Sequence, residues 1–140
     1  MDLRLGVASL DGSSPTLSDL LRLCRQLGVR VDSAPLPAGW LGAYDHARRR
    51  ILLTVGLTPV EERSVLAHEL GHAVFMHAGA SDAAERAAER FAARLLIDPL
   101  QLASVCAWAR DDQEIAEALD VTPDVVRAYR EHVLGRPAAA

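Results

Sequence analysis

The chain has 140 residues, of which 50% are hydrophobic and 24% are charged. This length suits one compact domain with one core, and the apolar fraction is too high for intrinsic disorder. The 15 basic residues are outnumbered by 19 acidic ones, for a formal net charge of −4, which disfavours nucleic acid as the main partner.

The N-terminal part of the sequence combines one helix with short extended segments. Ser14-Pro15 is typical of a helix start, leucines then recur at helical spacing, and Gly28 is placed to end the helix. Extended segments are predicted from Val29, over 40–44 and over 51–55, the last two joined by a polar hairpin tip. Together they predict a small sheet of about three strands.

Helices dominate the middle of the chain. The segment 58–61 combines an N-cap threonine, a proline at the first helical position and a capping-box glutamate. The helix that it starts is predicted to run to about 76 or 77, with Gly79 available to stop it. A second helix is predicted over 81–96, and a short third one over 99–108.

The C-terminal tail has the outline of a helix-turn-helix, with helices predicted over 112–119 and 123–133. The fold class is therefore α+β, mostly helical, with a small sheet near the N-terminus. The predicted organisation is a single domain over 1–140, divided into a core (14–110), a helical tail (111–134) and a frayed end (135–140).

The two cysteines and the N-terminus bear on the compartment. Cys24 and Cys106 lie far apart and form no CxxC pair, so they are predicted to be buried thiols and not a disulfide framework. No N-terminal segment has the pattern of an export signal, and no apolar stretch is long enough to span a bilayer. We therefore expect a cytoplasmic protein that does not bind membranes.

The sequence His68-Glu69-Leu70-Gly71-His72 is an HExxH motif inside the best-capped predicted helix. Residues four apart lie on one helix face, so both imidazoles can reach a single metal ion. Glu69 points about 100° round the helix from His68, where it can hold a water and not the metal. The motif predicts a zinc site with Glu69 as the catalytic base, against the alternative of two ordinary histidines.

A catalytic zinc usually takes a third protein ligand, which we expect from the helix that follows. Glu85 shares the core-facing side of that helix with Ala88 and Ala92, whereas Glu89 lies nearer its flank. Glu85 would also complete a capping box if Asp82 were the N-cap. Spacing alone leaves three possibilities open, namely that Glu85, Glu89 or neither binds the metal.

The HExxH motif and the segment 85–99 (ERAAERFAARLLIDP) together resemble the ImmA/IrrE family of metallo-endopeptidases. Its members pair an HExxH helix with a downstream Glu-x-x-Ala-Asn-x-Phe-Ala-Ala-x-Leu-Leu-Met-Pro segment. The hairpin 42–53 and the helical tail fit the same layout, so the resemblance covers most of 17–133. It implies a zincin-like fold, the metal ligands His68, His72 and Glu85, and Glu69 as the catalytic glutamate.

Two positions depart from the family pattern, and neither falls on a metal ligand that the resemblance implies. Glu89 stands where the family has asparagine, and 96–99 (LIDP) replaces a shorter Leu-Met-Pro ending. An extra carboxylate there could bind the metal or alter the pKa of its water. A second stabiliser of the oxyanion is also expected, and Tyr44 and His77 are the unassigned candidates for it.

The resemblance implies a zinc-dependent endopeptidase that cleaves a helix-turn-helix repressor and so relieves repression. Two alternatives stay open: a metal-binding anti-repressor that grips its partner without cutting it, and a DNA-binding regulator. The segment 111–134 holds seven acidic residues and two arginines, a charge of −5 that disfavours direct binding to nucleic acid. The sequence indicates neither the cleavage site nor the oligomeric state.

Overall fold

A computed structural model of the chain describes residues 14–135. Its elements, in chain order, are α1 (Leu17–Gln26), β1 (Arg30–Ala34), β2 (Gly42–Asp45), β3 (Arg50–Thr54), α2 (Pro59–Val74), α3 (Asp82–Leu96), α4 (Pro99–Cys106), α5 (Asp112–Leu119), α6 (Pro123–Ala128) and a π-helical turn (Tyr129–Val133). The mostly helical α+β class with a three-stranded sheet is confirmed.

The first helix begins later than the sequence predicted. Thr16 and not Ser14 is its N-cap, because the Thr16 hydroxyl accepts from the Asp19 N–H while the Asp19 carboxylate accepts from the Thr16 N–H. This reciprocal pair satisfies two free donors at once, which the serine cannot do. The other end agrees with the prediction, since Gly28 takes a left-handed conformation (φ 72°) just after the helix.

The sheet has the order β1-β3-β2. Strands β2 and β3 form the predicted antiparallel hairpin, whereas β1 pairs with β3 in parallel, in register from Arg30 with Arg50 to Ala34 with Thr54. Within the described residues β2 therefore has one paired side and one free side. The alternation of β3 buries Ile51 and Leu53 against the helices.

The predicted N-terminal capping of α2 is confirmed, but the predicted position of its C-terminal end is wrong. Thr58 and Glu61 form a capping box, with proline at the first helical position. The helix stops at Val74, before the predicted 76 or 77, because Met76 takes a left-handed conformation (φ 54°) that reverses the chain. Gly79 is not used as the stop.

The tail follows the prediction up to its last helix. The helices α5 and α6 have the expected starts, but the predicted single helix 123–133 divides into α6 and the π-helical turn. Both parts pack on α3. Of the predicted frayed end, 135–140, only Gly135 lies within the described residues, and nearly all of the N-terminal segment searched for an export signal lies outside them.

One apolar cluster runs from α1 to the π-helical turn. Its most deeply buried side chains come from α1, β3, α2 and the end of α3: Leu20, Cys24, Ile51, Leu66, Leu70, Leu96 and Ile97. The helices α2 and α3 lie side by side at its centre. No helix in the 14–135 region is both long and apolar enough to cross a bilayer.

The cysteines are both free, but only one is buried, so the prediction for Cys106 is wrong. Cys106 ends α4, a helix with no fully buried residue, and is exposed to solvent. Cys24 lies in the core, where burial raises the pKa of its thiol to about 11. A thiol with so high a pKa stays protonated near neutral pH and is a poor nucleophile.

We therefore expect a thiol reagent to modify Cys106 quickly and Cys24 only after unfolding. Ellman's reagent at about pH 8 should give one rapid equivalent with the native protein and two in denaturant. The Cys106→Ser variant is the control, and it should show almost no reaction until denaturant is added. Equal rates for both thiols in the native protein would contradict the buried position of Cys24.

Candidate metal centre

Three side chains from α2 and α3 meet at one point. The Nε2 atoms of His68 and His72 lie 3.0 Å from the two carboxylate oxygens of Glu85, Oε2 and Oε1 respectively. One ligand atom from each residue lies within 4.8 Å of the others. The sequence placed both histidines on one helix face, and the fold adds the glutamate from the next helix.

The position of Glu85 follows from how α3 begins. Ser81 is the N-cap, and its hydroxyl accepts from the Ala84 N–H. Glu85 is therefore one residue past the position that a capping box requires, and its carboxylate is free to face α2. Glu89 lies one turn further, but its Oε2 lies 2.9 Å from Nε2 of His132 and it is not part of the three-residue cluster.

Close approach of the two helices depends on Gly71. A Cβ atom added at Gly71 would lie 3.0 Å from Cα and 3.2 Å from the carbonyl oxygen of Ala88. Ala88 follows Glu85 by about one helical turn, so the same contact sets the distance of Glu85 from the histidines. The sequence showed the glycine inside the motif but not the backbone that it faces.

The donor set fits a divalent ion such as zinc. Two imidazole nitrogens and one carboxylate are a common ligand set of catalytic zinc, and the ligand atoms of a tetrahedral site lie roughly 3.3 Å apart. The observed Nε2–O distances of 3.0 Å are close to that spacing. Burial lowers the pKa of His72, which favours the neutral ring that a metal requires.

Glu69 lies beside the cluster and is only 7% exposed. Burial, and then the nearby negative charge of Glu85, raise the pKa of Glu69 to about 7. The free-edged strand β2 covers it so closely that a Cβ atom at Gly42 would lie 3.1 Å from the Glu69 Cγ. A carboxyl group in this position can accept and return a proton near neutral pH.

The other two candidate residues have partners of their own. The Tyr44 hydroxyl is 2.9 Å from Nδ1 of His46 and accepts from the Arg49 guanidinium at 3.3 Å. His77 places its Nδ1 2.9 Å from Nδ1 of His72, on the side of that ring away from Glu85. Both residues line the cleft, and their predicted role in oxyanion stabilisation remains a prediction.

His68, His72, Glu85 and Glu69 open into a cleft of about 1090 Å³. One wall is formed by the loop before β2 and the strand itself, from Gly39 to Tyr44, and a second wall is formed by residues of the tail between 122 and 131. The sequence did not indicate that the tail lines this cleft, because an apolar helical pattern does not show which helix its face meets. It likewise offered no sign that His132 would pair with Glu89.

Comparisons with known proteins identify a family for the chain and a solved structure of similar fold. The family model Peptidase_M78, described as an IrrE N-terminal-like domain, matches residues 24–129. No curated protein matches the sequence. Among solved structures, a Mycobacterium tuberculosis transcriptional regulator has a TM-score of 0.62 and 18% identity, over 87% of this chain and 42% of that one. This chain thus spans less than half of that regulator, and the likeness is one of fold.

Proposed function

Because the chain belongs to the IrrE N-terminal-like peptidase family, we propose that it is a zinc-dependent endopeptidase. The observation that carries the proposal is the position of Glu69, a buried carboxyl group beside two histidines and a glutamate that can share one ion. A structural metal site has no need of such a group. In a hydrolase it is the base that activates water.

The proposed reaction assigns a role to each residue. Zinc held by these residues would supply Lewis-acid chemistry and would lower the pKa of water. Glu69 accepts the proton of the attacking water and returns it to the leaving amine. His68, His72 and Glu85 hold the ion, and Tyr44 or His77 is proposed to support the oxyanion.

The substrate is proposed to bind as an extended strand. Residues 42–44 of β2 line the cleft, and β2 has no strand on its outer side within the 14–135 region. A peptide added there would receive main-chain hydrogen bonds from β2 while its carbonyl groups lie near the metal ligands. Only an unfolded or flexible segment of a protein can be bound in this way.

We further propose that the substrate is a helix-turn-helix repressor and that cleavage relieves repression. The resemblance to the ImmA/IrrE family supports this, and the similar solved structure carries the description of a transcriptional regulator. The proposed substrate acts on DNA, so we also place this chain in the cytoplasm. Direct DNA binding by the tail has less support, because α6 lies along the cleft and its Arg127 pairs with Asp124 at 2.7 Å.

The test is zinc analysis together with a cleavage assay on the purified chain. We expect one zinc per chain and cleavage of an unstructured polypeptide or a candidate repressor, followed by mass spectrometry of the products. A chelator should stop cleavage and added zinc should restore it. In the His72→Ala variant the zinc content should fall sharply. Full zinc occupancy in that variant would contradict the assigned site.

A further inference from the structure

The chain reversal after α2 brings His77 back onto the helix. Met76 has φ 54°, a conformation that residues with side chains rarely adopt. Its N–H donates to the Ala73 carbonyl at 3.1 Å, and the His77 N–H donates to the His72 carbonyl at 2.9 Å. The two bonds form a Schellman motif built without glycine, although Gly79 is only three residues away.

The side chains of the same two histidines also meet. His72 Nδ1 lies 2.9 Å from His77 Nδ1, and the ring centroids are 5.1 Å apart at an angle of 68°. The other ring nitrogen of His72, Nε2, lies 3.0 Å from Glu85 Oε1. Both nitrogens of His72 therefore have a partner, one on the metal side and one on the side of His77.

We propose that His77 is a positioning residue for His72. A neutral imidazole carries one proton, and its Nε2 can bind a metal only when that proton is on Nδ1. His77 accepts the hydrogen bond from this Nδ1–H and so holds both the tautomer and the ring plane of His72. Such partners are usually carboxylates, carbonyls or water, and here an imidazole takes their place. The inference rests on the proposed zinc site but not on peptide cleavage.

The hydrogen bond between His72 and His77 specifies which ring nitrogen of each histidine carries the proton. When His72 Nδ1 donates, the Nδ1 of His77 must accept, so the proton of His77 is on Nε2. Nitrogen-15 spectra of histidine-labelled protein loaded with Zn²⁺ should therefore show His72 as the Nδ1–H tautomer and His77 as the Nε2–H tautomer. A zinc-loaded protein in which His77 carries its proton on Nδ1 would overturn the proposal.

Zinc affinity provides the second test, measured by competition with a chelating dye. His77→Leu should weaken Zn²⁺ binding by about 10- to 100-fold, the usual effect of removing the hydrogen-bond partner of a ligand. His77→Asn keeps an acceptor oxygen near the place of Nδ1 and should bind nearly as tightly as the wild-type protein. His46→Leu removes a half-buried histidine whose ring bonds the Tyr44 hydroxyl and which is not in the three-residue cluster. It is the matched control and should leave zinc affinity unchanged.

Thermal unfolding of the metal-free variants shows whether folding is affected. The difference between the leucine and asparagine variants should appear in zinc affinity and not in the metal-free melting temperature. Equal zinc affinity in His77→Leu and wild type, or equal losses in both variants, overturns the proposal. If the His77 variants lose zinc affinity as expected but the wild-type protein cleaves no peptide, only the proposed function is refuted. If the wild-type protein cleaves peptides and the His77 variants bind zinc as tightly as it does, only this inference is refuted.

Discussion

We expect the Glu69→Gln variant to lose the proposed peptidase activity by about 10²- to 10⁴-fold, the usual contribution of a general base, while it still binds added zinc. The amide has nearly the shape of the carboxylate, so the fit of β2 over α2 is preserved. It cannot accept a proton from water. Activity is measured as initial cleavage rate, and zinc content by elemental analysis of the same samples.

Glu62→Gln is the matched control for this variant. Glu62 lies on the same helix, seven residues earlier, and does not line the cleft. Its amide variant should keep both activity and zinc. Loss of zinc in Glu69→Gln would make Glu69 a ligand and not the base. A non-cleaving anti-repressor would instead keep its partner binding and its zinc in both variants.

The Glu69→Gln substitution should also change the stability of the metal-free protein, by an amount that depends on pH. The folded-state pKa of Glu69, about 7, lies above its ordinary value of 4.5, so the folded state binds this proton more tightly than the unfolded chain. Stability is therefore lost as pH rises from about 4.5 to 7. Above that range we expect metal-free Glu69→Gln to be more stable than wild type by up to about 3 kcal/mol, and below it the difference should vanish. Denaturant unfolding at several pH values measures this.

Much of α2 and its chemistry could be predicted because the signals are local. The capping box of Thr58 and Glu61 and the HExxH spacing each involve residues within one or two turns of each other. Intrahelical geometry then determines the face on which both imidazoles lie. The boundaries of α1 and α2 were less predictable, since an alternative cap at Thr16 and a left-handed methionine at Met76 compete with the obvious signals.

The arrangement around the ligands depends on contacts between elements that are distant in sequence. Whether Glu85 or Glu89 reaches the histidines depends on how α3 packs along α2, where Gly71 faces the backbone of Ala88. The partner of Glu89, His132, lies 43 residues away. No periodicity in the tail indicates that its last turn, which changes from α to π geometry, would reach α3.

Gly71→Val should separate α2 from α3 and weaken the metal site, although the residue binds nothing itself. A Cβ at this position meets backbone atoms of Ala88 at 3.0 and 3.2 Å, and backbone cannot rotate away as a side-chain end can. Valine adds two methyl groups to that contact. The helix α3 must therefore shift, and Glu85, one turn before Ala88, shifts with it.

Two opposing effects determine whether a substitution at Gly71 stabilises or destabilises the protein. Replacing glycine inside a helix gains roughly 0.5–1 kcal/mol of helix propensity with alanine, and less with a β-branched residue. Forcing extra atoms into a packed contact costs about 1–3 kcal/mol. For Gly71→Ala the two effects should nearly cancel, so its stability should stay close to wild type. Gly71→Val should lower both the melting temperature and the zinc affinity.

Gly79 offers the matched control, because a Cβ there meets nothing within 4 Å and its φ is not in the left-handed range. Gly79→Val should leave zinc affinity and melting temperature close to wild type. Zinc titration and thermal unfolding of the three variants separate packing from the general effect of losing a glycine. If Gly71→Val bound zinc as tightly as Gly79→Val, the spacing between α2 and α3 would not be what holds Glu85 to the histidines. The third ligand would then have to reach the ion by flexibility of its own side chain.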